Sequence, residues 1–309
     1  MPISHHYADI NGVSLHYVEA ACHSDNPNPE TIVFLHGFPE YWGTWQAQIE
    51  YFREQYRVIV PDLMGYNLSD KPSQLAAYTV PNLIALYAKF VEKVSQDNPV
   101  HLVAHDWGGA IAWPLAAFHP QLFNKLIILN AAHPSTFTRE MASNPQQRQK
   151  SAYIHQLVAD NGVEFVKSDD FSMLRSMLFE GMHETQFSER QKAEYIRAWK
   201  QPGAVNGMLQ YYRAMPQLPP VEAAEIVIND VKQTSESEPN GFKIPNIRIE
   251  MPTLILWGEQ DEAFVTDVLQ GIEAYVPDCE IVRFSDATHW LHHEKPDEVN
   301  SAIKRFLTA

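Results

Sequence analysis

The sequence has only two cysteines in 309 residues, Cys22 and Cys279, and they stand far apart. They form no disulfide framework, so a reduced, cytoplasmic setting is the simplest expectation. Positive charge is scarce. There are 23 lysines and arginines against 38 aspartates and glutamates, a net charge of −15, and basic residues nowhere form a block. A phosphate-binding surface needs clustered positive charge, so no nucleic-acid partner is expected. An acidic surface repels anions and favours neutral or cationic substrates. No apolar run approaches the roughly 20 residues of a spanning helix, so no membrane partner is expected. The opening "MPISHHYADINGVSLHYVEA" lacks the basic start and apolar stretch of a signal peptide. Neither an H-E-x-x-H spacing nor a glycine-rich phosphate loop occurs, so neither metal nor cofactor is expected. The neighbours His5-His6 and His292-His293 are expected to diverge and not to act as ligand pairs.

What is present is ordinary for a folded chain. Hydrophobic residues make up 45% and charged residues 20%, enough to bury a sizeable core. The length suits one large domain or a core with an inserted subdomain. Short apolar runs alternate with helical patterns. "VSLHYVEA", "TIVFLH", "YRVIVPD", "VHLVAH" and "KLIILN" read as strands. "GTWQAQIEYFREQ", "VPNLIALYAKFVEKV" and the run from Gly108 to Phe118 read as helices, the second capped by Thr79 with Pro81 in its first turn. The alternation predicts an α/β fold, a mostly parallel sheet with helices on both faces.

From about Pro134 to Ile249 the pattern turns helical. It then returns to strand at "PTLILWG", with a helix predicted from about Val265, a strand "EIVRFS" and a last helix from about Pro296. Residues 1–133 and 250–309 are therefore expected to form one core, and 134–249 an inserted helical cap. The end of the insertion, about 221–246, is acidic and polar. It reads as a surface excursion, with Lys232 to Gly241 dispensable for chemistry.

In "VHLVAHDWGGAIAW" an aspartate, Asp106, stands where strand becomes helix. A sharp strand-to-helix turn needs small residues two before and two after its tip. Ala104 and Gly108 meet that need, and Gly109 allows close helix packing. This is the pattern of a nucleophile elbow with Asp at the tip. Aspartate is also a good helix N-cap, and from "DWGG" alone both readings stand.

A carboxylate is ionised at neutral pH and attacks an sp3 carbon unaided, giving an alkyl ester. Water must then attack that ester, which calls for a base, an acid to orient it and an oxyanion hole. Asp261 follows the strand in "LILWGEQDEAF", and His289 follows the last strand in "FSDATHW". Both fall at C-terminal strand ends, the edge where open α/β sheets bind ligands. Asp286 and Glu259 are rival acids, His292 and His293 rival bases. The backbone N–H groups of Trp107 and Phe38 are the candidate oxyanion donors, with Pro39 stiffening the second loop.

"HGFPEYW", "PDLMGYNLSDKP", "AHDWGG", "LWGEQD" and "THW", in this order, resemble the α/β-hydrolase fold, in its epoxide hydrolase and haloalkane dehalogenase branch. The resemblance spans nearly the whole chain. It implies the Asp106–His289–Asp261 triad and two cap tyrosines that hydrogen-bond the epoxide oxygen. "GMLQYYRAM" matches one of their segments at Tyr212, and "SAYIHQLVADNG" the other, more loosely, at Tyr153. A phenol is protonated at neutral pH and donates to an oxygen becoming alkoxide.

Dehalogenation is the alternative the resemblance leaves. It would use the indole of Trp107 and a second halide donor. Phe38 stands where one group carries asparagine, and Trp199 is the tryptophan of the insertion. His155 falls near a halide contact of fluoroacetate dehalogenases. An alternative of another class is a catalytically silent binding protein. His155, Trp42, Phe264 and Trp290 are candidates for the pocket wall. The expected partners are a small, neutral, apolar epoxide-like molecule and water, with a homodimer left open.

Overall fold

The computed structural model describes residues 3–24, 26–181, 187–215 and 244–309. The excursion expected at 221–246, including Lys232 to Gly241, lies outside them up to residue 243.

Eight strands form one sheet: β1 Ser4–Ile10, β2 Val13–Ala20, β3 Thr31–Leu35, β4 Arg57–Pro61, β5 Val100–His105, β6 Phe123–Leu129, β7 Thr253–Gly258 and β8 Cys279–Phe284. Their order is β1-β2-β4-β3-β5-β6-β7-β8. The first two pairings, β1 with β2 and β2 with β4, are antiparallel; the rest are parallel. Strands β3, β5 and β7 are buried along their whole length, as parallel strands covered on both faces must be. Their valine, isoleucine and leucine content suits that place.

Helices α1 Gln46–Phe52, α2 Val80–Val94 and α3 Trp107–Phe118 follow β3, β4 and β5. Between β6 and β7 every described element is helical: α4 Pro134–Ser143, α5 Pro145–Lys150, α6 Tyr153–Val158, α7 Gly162–Arg175, α8 Glu189–Trp199 and α9 Ala204–Ala214, with a π-helical turn at Ser176–Glu180. The chain ends with α10 Leu291–Glu294 and α11 Pro296–Thr308. One core packs Trp45, Ile49 and Phe52 against Val299, Ile303 and Phe306 under one sheet face. A larger one joins the other face to α2, α3 and the helices of the insertion. Thus both faces are covered, as the alternation predicts.

Two local expectations fail. No long helix starts at Val265; two 3-10 turns, Thr266–Leu269 and Ile272–Ala274, replace it. Gly271 breaks the run at φ +71°, and the guanidinium of Arg139 takes the carbonyls of Asp267 and Gln270 that a helix would have used. Thr79 stands at the N-cap of α2, but its hydroxyl donates to the Ala76 carbonyl and does not cap. Strand β1 went unmarked, because its half-exposed pattern carries polar residues on both faces.

Candidate active site

The C-terminal edge of the sheet gathers four loops, after β3, β5, β7 and β8. The loop after β5 is a single residue. Asp106 sits between strand and helix with φ +48° and ψ −119°, a conformation that costs on the order of 1–3 kcal/mol and persists only where packing enforces it. Its side chain makes no capping bond to α3, so the N-cap reading falls. The turn is possible because Gly108 lies on the end of β3. A Cβ there would run into the carbonyls of Leu35 and His36.

The Phe38 N–H donates to Asp106 Oδ1 at 2.7 Å. The peptide between Phe38 and Pro39 is cis. Trp107 opens α3, and the first amides of a helix have no intrahelical acceptor. The other carboxylate oxygen, Oδ2, lies 3.7 Å from His289 Nε2. His289 Nδ1 in turn meets Asp261 Oδ2 at 2.8 Å. Asp261 is 3% exposed and fully engaged. Its Oδ1 accepts the N–H groups of Ala263 and Phe264 at 2.6 and 2.9 Å, and its Oδ2 the amide of Asn130 at 2.6 Å.

These contacts set the charges. Burial works against ionised Asp261, yet the charge of His289 and the donors around it hold its carboxyl below the usual range. Burial also works against protonated His289. The charges of Asp261 and Asp106 and the bond to Asp261 outweigh it and push the imidazole up to about 10. The rivals are elsewhere. Asp286 pairs with Lys295 at 2.7 Å and Glu259 with Arg283 at 2.6 Å.

Above Asp106 opens a cavity of about 690 Å³, walled by Trp107, Phe137, Met141, Ile154, Ile247 and Phe264 among others, with Tyr153 and Tyr212 in its lining. Tyr212 stands edge-on to both Phe38 and Trp107, at 5.2 and 5.1 Å between ring centres. The Tyr153 ring is 6.2 Å from it. Burial, with the Asp106 charge nearby, pushes both phenols above their ordinary range, so both keep their protons. Helix α9 reaches this height by backbone contact. A Cβ on Gly207 would run into the Gly65 backbone, and the Tyr211 hydroxyl donates to the Met64 carbonyl at 2.8 Å.

Trp42, His155 and Trp290 do not line this cavity, against expectation. Trp42 packs edge-on to His5 and Tyr41 on the far side of its loop. On α6, Tyr153 and Ile154 take the cavity positions and His155 falls beside them. Trp290 packs behind, against His105 and His289. The Trp199 indole donates to the Pro39 carbonyl at 2.6 Å, so it holds the loop and faces no substrate.

One cluster escapes a reading by motif. Buried Glu40 receives His105 Nδ1 on Oε2 at 3.0 Å, and both His292 Nε2 and His293 Nε2 on Oε1 at 3.1 and 3.2 Å. Thr44 donates to the same oxygen. The two adjacent histidines therefore converge, against expectation, because one short turn of α10 offers both rings to one carboxylate. Burial alone would raise Glu40; His292 and His105 hold it well below the carboxylate range. The other His105 nitrogen lies 2.9 Å from the His289 carbonyl, so the ring ties Glu40 to the backbone of the His289 loop. Glu40, His105 and His292 offer donor atoms within 4.8 Å of one another. The hydrogen bonds already account for this grouping. Its one signal in the sequence is a glutamate in the "HGFPE" run with a histidine directly before Asp106.

Comparison with known proteins agrees with this fold. The alpha/beta hydrolase fold family pattern matches residues 30–296. The chain is 33% identical to the AB hydrolase superfamily protein YfhM of Bacillus subtilis, over 97% of this chain and 96% of that one. It is 31% identical to human Epoxide hydrolase 4, over 98% of this chain and 79% of that one. Among solved structures it resembles a variant epoxide hydrolase from Bacillus megaterium at TM-score 0.85 and 32% identity, covering 98% and 100% of the two chains. Another variant of that enzyme, at TM-score 0.84 and 32% identity over the same shares, holds its naphthyloxy-propanediol product. Among the described residues no helix is long and apolar enough to cross a membrane.

Proposed function

Because the chain belongs to the α/β-hydrolase fold family and is an epoxide hydrolase-like hydrolase, we propose that it opens an apolar epoxide to a diol through an ester on Asp106. Residues 134–249 then serve as the cap that carries the two tyrosines. The observation that carries this reading is the division of the Asp106 carboxylate. Oδ1 is held by the Phe38 amide, while Oδ2 stays within reach of a substrate and of His289.

Oδ2 attacks a ring carbon, and the C–O bond of the strained ring breaks. The ring oxygen takes a proton from Tyr212 or Tyr153. An alkoxide is a poor leaving group without such a donor. Oδ1 becomes the ester carbonyl and already sits on one oxyanion donor. Esterification also removes the Asp106 charge that helped keep a proton on His289. The imidazole releases that proton, the phenols regain theirs, and a base is ready for the second step.

His289 Nε2 now takes a proton from water, whose oxygen adds to the ester carbonyl. The Phe38 and Trp107 amides hold the oxyanion. The bond from that carbon to the alkyl oxygen breaks, His289 returns the proton to that oxygen and diol leaves; the carboxyl proton left on Asp106 then passes to His289, which restores the carboxylate and the imidazolium. Asp261 supports the imidazolium throughout. The 690 Å³ apolar cavity accommodates an epoxide bearing an aromatic group, in line with the naphthyl product of the Bacillus megaterium neighbour.

Single turnover in heavy-oxygen water tests the scheme. The label is expected in the Asp106 peptide and absent from the first diol released. A labelled first-turnover diol means that water attacks the ring directly and the ester does not form.

A further inference from the structure

We infer that Gln147, on α5 of the insertion, is a positioning residue for Asp261, so that the cap segment carrying Tyr153 also governs hydrolysis of the ester. Gln147 is fully buried. Its carboxamide directs both N–H donors and its oxygen toward one short stretch and its own helix end. Oε1 accepts the Val265 N–H at 2.9 Å, and Nε2 donates to the Ala263 carbonyl at 2.9 Å and to Ser151 Oγ at 3.0 Å. A carboxamide bonded to the carbonyl of one residue and the N–H of the next but one mimics a neighbouring strand.

The same three residues are gripped from the other side by Asp261, whose Oδ1 accepts the N–H groups of Ala263 and Phe264. The tripeptide 263–265 is thus a bracket with Gln147 on one flank and the acid on the other. Lys150, one turn on from Gln147, donates from Nζ to the Asp261 backbone carbonyl at 2.5 Å. Phe264, between the two grips, faces the cavity and lies 6.0 Å ring to ring from His289. Since α5 leads directly into α6, the segment that sets Tyr153 for ring opening sets Asp261 for ester hydrolysis.

The step that depends on Asp261 is hydrolysis, which rests on the ester mechanism proposed above. The test follows the mass of the covalent adduct in single turnover of an aryl epoxide, with His289→Gln as reference. In Gln147→Ala the adduct is expected to form at close to the parental rate and to decay about 10- to 100-fold more slowly, the loss a displacement near 1 Å produces. In an Asp261→Asn background, adding Gln147→Ala is expected to slow decay no further, because Gln147 acts through that carboxylate. A purely structural role would lower Tm in either background without that selective dependence.

Should the alanine protein fail to fold, Gln147→Glu keeps the shape and the acceptor for Val265 while removing the donor to Ala263, and the same ratio of decay to formation is expected to move. Equal slowing of both steps, or unchanged decay in a folded variant, overturns the role of Gln147 while adduct in His289→Gln keeps the ester reading. Adduct in no variant overturns both.

Discussion

The amide of Phe38 holds Asp106 Oδ1 at 2.7 Å, and His289 Nε2 stands 3.7 Å from the other oxygen. One carboxylate therefore has a bound atom and a free atom before any substrate arrives. The free atom suits attack. The bound one suits the later carbonyl, since it needs no new donor when charge develops there.

Removing the base separates the two half-reactions. In His289→Gln the carboxylate still attacks, but water lacks a base. The intact mass is expected to rise by one substrate and stay there. Sustained diol release by this variant would move the role to another group.

Tyr212→Phe is expected to slow formation of the ester by about 10²- to 10³-fold, the loss typical of one such donor. Tyr153 remains in the first variant, so the double phenylalanine variant should be far worse. Trp107→Phe removes an indole N–H and leaves the backbone amide; a smaller effect is expected. The reverse ranking, with halide released from haloalkanes by the parent protein, would favour dehalogenation.

Stability should depend on pH through His289. Its folded value of about 10 lies above the ordinary 6.5. The stabilisation it brings is therefore full below about pH 6.5 and is lost as pH rises through 10. Thermal unfolding of the parent and of His289→Gln should show a gap that narrows across this window. A gap that stays flat from about pH 6 to about pH 10 refutes the raised value.

Gly207→Ala should shift α9 off the core. The new methyl would run into the rigid Gly65 backbone, and overpacking of this kind costs about 1–3 kcal/mol. A lower Tm together with slower ester formation is expected, because α9 carries Tyr212. A fall in Tm with ester formation untouched would show that the helix adjusts without moving the phenol.

How much of this was legible in the sequence differs by residue. Asp106 follows β5 directly, Asp261 and His289 stand in the loops just after β7 and β8, and a strand end is written locally, so their shared edge is legible. Tyr212 came from the resemblance, because a tyrosine on a helix carries no mark of what it faces. Trp42, His155 and Trp290 were misplaced for the same reason: the side of a turn or helix that meets a cavity depends on how the element seats. The Glu40 cluster joins residues 65 and 252 positions apart, and Gln147 meets Val265 across 118. Such contacts exist only after the sheet is assembled, and no local pattern encodes them. Periodicity near Val265 suggested a helix; Arg139, more than a hundred residues earlier, decided otherwise by taking its carbonyls.

Strands β6 and β7 are hydrogen-bonded neighbours, with Leu126 opposite Thr253, although the whole insertion lies between them in the chain. Closing a loop costs entropy that grows only with the logarithm of its length, about 0.6 kcal/mol for each doubling. The sheet is thus nearly indifferent to how long the chain between these two strands is. Residues can be added to or removed from those parts of the segment that make no contact with the core at small thermodynamic cost to it. Substrate range and core stability can then drift separately over evolutionary time, with the few cap residues that grip the core as the fixed points between them.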